Sequence, residues 1–266
     1  MRDANRGARQ TNRTGIPAPI AGLPCKARAR TIDELEIRFG LWFHARLVNE
    51  DAEHVRESVA AACRRLAGAG LVLGTAGNVS QRIDAGRFAI TGSGAVLADT
   101  ERHQVSVVDS DGTILDGPKP SSELDLHLGV YDRFGAAAVV HTHAPMATAL
   151  SCVLDEVPCV HYAMLAFGGS VRVAPYRTFG TSELAAVTLD ALEGRTAALM
   201  ANHGAIGYGG DLDGAVENAL LLEWACGVYL HAAQVGTPRT LGERELQSVV
   251  EAVVARNYGT IQEAGS

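Results

Sequence analysis

The sequence has no run of about 18 apolar residues, so no membrane-spanning helix and no membrane partner is expected. Its amino end lacks the basic-then-apolar pattern of a secretory signal. Five cysteines occur, an odd number, and no two have C-x-x-C spacing. A disulfide framework and a cysteine-based zinc site are therefore excluded as readings; reduced thiols and a cytoplasmic location are the expectation. Internal repeats are absent. No G-K-[ST] follows a glycine-rich segment, and the G-x-x-G of 74–77 is too short for a dinucleotide fingerprint. The D-S-D-G of 109–112 lacks the downstream glutamate of a calcium loop and reads as a hairpin turn.

Positive charge is scarce beyond one end. Residues 1–30 hold seven Lys/Arg against a single acid, Asp3, whereas the whole chain carries −7, so the remainder carries −13. A body this acidic is a poor partner for nucleic acid, and none is expected. Residues 1–30, rich in Gly, Pro and Ala, predict a disordered basic leader. Residues 31–50 predict a helical extension, opened by Thr31 with Glu34 three positions on. Residues 51–260 read as one domain, and 261–266 as a flexible tail. Hydrophobic residues make up 47% of the chain, enough for a sizeable core.

Within the domain, Val55, Val59, Cys63 and Leu66 recur every three to four residues, with Arg56, Glu57, Arg64 and Arg65 mostly on the other side. This predicts an amphipathic helix over 51–69. The segment 74–80 (GTAGNVS) is a turn of small residues that can aim N–H groups at an anion. Strands are predicted over 78–83 and 87–91, the second running into T-G-S-G at 91–94. Two such turns bracketing a hairpin mark an anion site. A further strand covers 105–108. The longest helix, 212–234, shows core spacing at Leu220, Leu221, Trp224, Val228 and Tyr229; a last helix is predicted over 242–256.

The densest chemistry lies in 120–145. Ser121 or Ser122 can cap a helix whose first turn holds Glu123 and Asp125, itself an anion-binding terminus. His127 falls on the face of Glu123 and reads as a supporting residue rather than a ligand. Ala136–Val140 is an all-apolar run, hence a strand buried on both faces. Residues i and i+2 of a strand point the same way, so His141 and His143 project together and can chelate a metal. A second buried strand, Ala197–Met200, ends on Asn202-His203-Gly204 and supplies a candidate third ligand. Three histidines leave an open coordination position, as in catalytic metal sites.

The set GTAGNVS, ITGSG, KPSSE, HTHAP, YRTFGT and NHG, in this order, resembles the class II aldolase/adducin family, most closely its L-fuculose-1-phosphate aldolase branch. The resemblance covers about 51–260. It implies a three-layer α/β/α fold with a mixed, mostly antiparallel central sheet, and a homotetramer with active sites between subunits. It implies that His141, His143 and His203 bind Zn2+ or another divalent metal and that Glu123 is the acid/base. A substrate phosphate would be cradled by Thr75, Gly77, Asn78, Ser93, Gly94, Ser121 and Ser122. Tyr162 and Tyr258 would be catalytic tyrosines, Tyr258 reaching a neighbouring subunit, and Phe179 would stand beside the substrate.

The implied activity is reversible cleavage of a ketose 1-phosphate to dihydroxyacetone phosphate and an aldehyde. No Schiff-base lysine is required, in keeping with only two lysines, Lys26 and Lys119. Pentulose-phosphate 4-epimerase and methylthioribulose-phosphate dehydratase are alternatives on the same fold. The epimerases tend to carry Asp where this chain has Glu123. A non-enzymatic adducin-like head is disfavoured by the intact H-x-H, Glu123 and His203.

Overall fold

The computed structural model describes the backbone of residues 32–256 and the side chains of 50–256. The expected leader, the expected tail and Tyr258 lie outside the described residues. The chain divides into two compact units, Met1–His44 and Ala45–Ser266; every side-chain feature below belongs to the second.

Helix α1 runs unbroken over Ile32–Gly68. The separate extension and helix read from sequence are one element, because the joining residues 47–54 (LVNEDAEH) contain no glycine or proline to stop it. Val59, Cys63 and Leu66 are fully buried, as the spacing predicts. Arg56, expected toward solvent, is buried instead and pairs with Glu53 and Asp116, each at 2.8 Å.

Nine strands follow: β1 Asn78–Arg82, β2 Arg87–Thr91, β3 Val105–Asp109, β4 Ile114–Asp116, β5 Ala138–Thr142, β6 Glu156–Val157, β7 Val171–Ala174, β8 Ala197–Met200 and β9 Gly204–Gly209. They form one sheet in the order β4-β3-β2-β1-β5-β9-β8-β7-β6. Only β7 and β8 pair in parallel; the others pair antiparallel. The helices are α2 Leu124–Phe134, α3 Pro145–Ser151, α4 Ser182–Ala191, α5 Leu212–Val235 and α6 Glu243–Ala255.

Strand periodicity sorts the core into two. Ala138 and Val140 face one cluster, with Val59 and Leu66 of α1 and with residues of α3 and α5. Val139 faces the other, with α2 and α4. The outcome is the expected three-layer α/β/α arrangement around a mixed sheet. On α5 the buried stripe is Ala215, Val216, Ala219, Leu222, Ala225 and Cys226. Of the larger residues predicted for that role, Leu220, Leu221 and Tyr229 pack against the same core while half-buried, and Trp224 lies outward, 46% exposed; small residues let α5 lie close on β9, where Gly207 faces Asn218 and Ala219.

Strand β9 was not foreseen. Its sequence, GAIGYG, reads as a turn, yet it is central in the sheet. The glycines are there for close approach: a Cβ on Gly204 would sit 2.3 Å from the Thr142 carbonyl oxygen, and one on Gly209 2.5 Å from the Ala215 nitrogen. No described helix is long and apolar enough to cross a membrane.

Candidate active site

The site lies where β1, β5 and the β8–β9 turn meet the start of α2. His141 is the fourth residue of β5, and His143 follows the strand's end. Pro145, at the first position of α3, turns the chain away immediately afterwards. His203 sits in the turn between β8 and β9, where its N–H donates to the Met200 carbonyl at 3.1 Å. That turn needs a left-handed residue, and Asn202 takes it at φ 56°. The three imidazoles form a near-equilateral triangle, each pair of ring centroids 4.9 Å apart.

The donor set fits a metal ion. One nitrogen from each histidine falls within 4.8 Å of the others. The Nδ1–H of fully buried His141 donates to the Ala205 carbonyl at 2.9 Å, leaving the Nε2 lone pair for the cluster. That Nε2 lies 3.0 Å from His143 Nε2. Burial, then the neighbouring His141, pushes His143 down to about 4, and the same causes lower His203. Neutral imidazoles with converging lone pairs repel unless a cation lies between them.

Glu123 closes the cluster. It is the residue preceding α2, at φ −103°, not part of its first turn as read from sequence. Neither serine caps the helix in the expected way; Ser121 Oγ instead accepts from the Glu123 N–H at 3.3 Å. Glu123 Oε2 accepts from Asn78 Nδ2 at 3.0 Å and lies 3.1 Å from His141 Nε2. Oε1 is buried without a hydrogen-bond partner among the described residues, 3.5 Å from His203 Nε2. Burial raises the carboxyl's pKa, but His141, the Asn78 amide, His203 and His127 outweigh it and hold the group below its ordinary value. An orphaned carboxylate oxygen beside a cluster of three histidine nitrogens is the arrangement expected where a cation binds.

Beside the cluster opens a cavity of about 370 Å3. It is lined by Thr75, Gly77, Asn78, Ser93, Gly94, Ser121, Ser122, Glu123, His143, Phe179 and His203, so these sequence-predicted residues share one pocket. Two turns are locked together to form its floor: Ser93 N–H donates to Lys119 O at 2.8 Å, and Ser121 N–H to Thr91 O at 3.0 Å. Gly92 is required there, since a Cβ would lie 2.7 Å from the Gln104 oxygen. Among the described residues, the lining holds no lysine and one arginine, Arg177, so the floor offers hydroxyls and backbone N–H groups.

Sequence reading missed Tyr176, Arg177 and Asn202 at the rim. Their signal was available, since the first two belong to the YRTFGT segment and the third precedes His203. Tyr162 does not join this pocket within one chain. It is exposed, stacks near His161, and lines a separate cavity of about 290 Å3 with Ser248, Val249, Ala252, Val253 and Arg256 of the α6 region.

Comparison with known proteins agrees with this geometry. The family model for the Class II Aldolase and Adducin N-terminal domain matches residues 57–230. A 5-methylthioribulose-1-phosphate/5-deoxyribulose-1-phosphate aldolase of Rhodospirillum rubrum is 38% identical over 199 residues, covering 74% of this chain and 90% of that protein. A 5-deoxy-D-ribulose 1-phosphate aldolase of Bacillus thuringiensis is 36% identical over 199 residues, covering 74% and 93%. Among solved structures, an L-fuculose 1-phosphate aldolase superposes with a TM-score of 0.72 at 32% identity, over 76% of this chain and 96% of that one.

Proposed function

This chain belongs to the class II aldolase and adducin family and is an enzyme of its aldolase kind, and we propose that it reversibly cleaves a 5-deoxypentulose 1-phosphate to dihydroxyacetone phosphate and a two-carbon aldehyde. The observation that carries this reading is the meeting of His141, His143, His203 and the unpaired Glu123 Oε1 at the mouth of a neutral, hydroxyl-lined cavity. The choice of substrate follows the two relatives named for 5-deoxyribulose 1-phosphate. It also suits the rim, where Tyr176 and Phe179 are exposed aromatics facing whatever lies beyond the phosphate-bearing half.

His141, His143 and His203 would hold Zn2+, which when bound supplies Lewis-acid polarisation of the ketose carbonyl. Ser93, Gly94, Ser121 and Ser122, with Thr75 and Gly77 shaping the turn, would hold the phosphate. Glu123 would exchange a proton with the carbon that carried the cleaved bond. A proton for the aldehyde oxygen would come from a tyrosine, Tyr258 or Tyr162. Since Tyr162 stands outside the cavity of its own chain, this role implies an active site completed between subunits, in keeping with a homotetramer.

The test is a panel of aldehydes offered with dihydroxyacetone phosphate and zinc, with products identified. Acetaldehyde and methylthioacetaldehyde should condense faster than lactaldehyde or glycolaldehyde. Preference for lactaldehyde would move the assignment to a deoxyhexulose phosphate. A purified protein that neither holds nor takes up stoichiometric divalent metal would sink the metal-dependent reading.

A further inference from the structure

Glu123, His127 and Tyr131 stand at i, i+4 and i+8, on one face of the α2 segment. Asn78 and Ser80 stand at i and i+2, on one face of β1. Four helical residues advance about 6 Å and two strand residues about 6.6 Å, so the two rows are commensurate. They interleave into a single file. Asn78 Nδ2 meets Glu123 Oε2 at 3.0 Å; Asn78 Oδ1 meets His127 Nε2; His127 Nδ1 meets Ser80 Oγ at 2.6 Å; Ser80 Oγ meets Tyr131 OH at 2.6 Å. All five side chains are buried, His127 completely.

The direction of every bond follows from one end. An ionised carboxylate only accepts, so Asn78 must turn its amide nitrogen to Glu123. Its oxygen then faces His127, which must carry its proton on Nε2. His127 Nδ1 is left to accept, so Ser80 donates to it, and Tyr131 in turn donates to Ser80. Burial, then His141, depresses His127 to about 3, which keeps the ring neutral with one donor and one acceptor nitrogen.

We propose that Tyr131, Ser80, His127 and Asn78 form a positioning file for Glu123, fixing the Asn78 amide so that Oε2 is held and Oε1 is presented to the histidine cluster. The inference rests on the acid/base reading of Glu123. It gives Asn78 a role distinct from the phosphate contact implied by resemblance, although Asn78 Nδ2 keeps a second hydrogen for the cavity. If the file is broken, Asn78 can rotate and set its oxygen against the carboxylate.

The test uses the full chain loaded with zinc and follows deuterium entry from solvent into dihydroxyacetone phosphate, a half-reaction that needs no aldehyde. Ser80→Ala and His127→Leu should lower the exchange kcat about 10- to 100-fold, the range seen for partners that orient functional groups. KM should stay within about threefold and metal stoichiometry should not change. His127→Gln retains an N–H toward Asn78 and should recover much of the loss. Tyr131→Phe keeps its ring on Phe88, centroids 4.5 Å apart, and should show the smallest effect.

Histidine-selective 15N labelling of the unmutated protein, which depends on no variant folding, should show His127 as the neutral Nε2–H tautomer. An Nδ1–H tautomer overturns the proposal. So does a fall in metal content in the variants, or full turnover in them while Glu123→Gln is inactive. If Glu123→Gln retains exchange, the acid/base reading itself fails, and the file's purpose fails with it.

Discussion

His141 has one nitrogen committed to a backbone carbonyl, and this decides what the other can do. The Nδ1 contact to Ala205 comes from the sheet rather than from another side chain, so the ring keeps its orientation when neighbours change. His143→Ala should therefore remove metal and turnover together while leaving the fold in place; metal analysis and thermal melting check both. The pairing of His141 with His143 was legible, because i and i+2 on a strand is a rule of geometry. The link from Glu123 through Asn78 to His127 was not, because it depends on how far α2 slides along β1.

His127 also makes a pH prediction. Its pKa is about 3 when folded, against an ordinary 6.5 when unfolded. Between those values the unfolded chain binds a proton that the folded chain does not. Its contribution to stability is thus complete above about 6.5 and is lost as pH falls toward 3. The difference in Tm between the unmutated protein and His127→Gln should narrow over that interval. Thiols offer a simpler contrast. Burial pushes Cys63 and Cys226 up to about 12, whereas Cys152 is exposed. Among the described cysteines, Cys152 should be the one labelled by a disulfide reagent at pH 8, and peptide mapping would show it.

At the scale of elements, most strands and helices were legible to within a few residues, since apolar alternation and glycine stops mark their limits. Strand β9 was not, because its glycines imitate a turn. They serve contacts that no local pattern reports, between β9 and both β5 and α5. Gly204→Ala tests this directly. Its Cβ would overlap the Thr142 oxygen, so the pairing of β5 with β9 must shift. A loss of about 1–3 kcal/mol is expected, the usual cost of overpacking, read as a lower urea midpoint. Because His203 adjoins Gly204, weaker metal binding should accompany it. The continuity of α1 across residues 47–54 was missed for the opposite reason: an expected boundary had no stop signal behind it.

For the whole molecule, among the described residues the side chains that form the two cores begin with Val55 and Val59. Removal of residues 1–45 should accordingly cost only the helical signal of residues 32–45 and leave the remaining fold, metal binding and turnover unchanged, which circular dichroism, thermal melting and the exchange assay would verify. A truncated chain that no longer assembles would show instead that the amino end is part of the quaternary structure. The proposal that a neighbouring copy's tyrosine completes the cavity rests on the resemblance alone, since a single sequence says nothing of its copies.

The loop that carries Tyr176 to Gly180 lies on the pocket from outside: a Cβ on Gly180 would meet Ser122 O at 3.1 Å, while the loop's own side chains stay exposed. The clustered histidines stand on or directly beside the strands β5, β8 and β9; this rim does not. On the proposed function, reaction and selectivity would be carried on separable pieces of chain, which would make the enzyme modular for engineering. A library confined to Tyr176, Arg177 and Phe179 could search new aldehydes while every member inherits an unaltered centre.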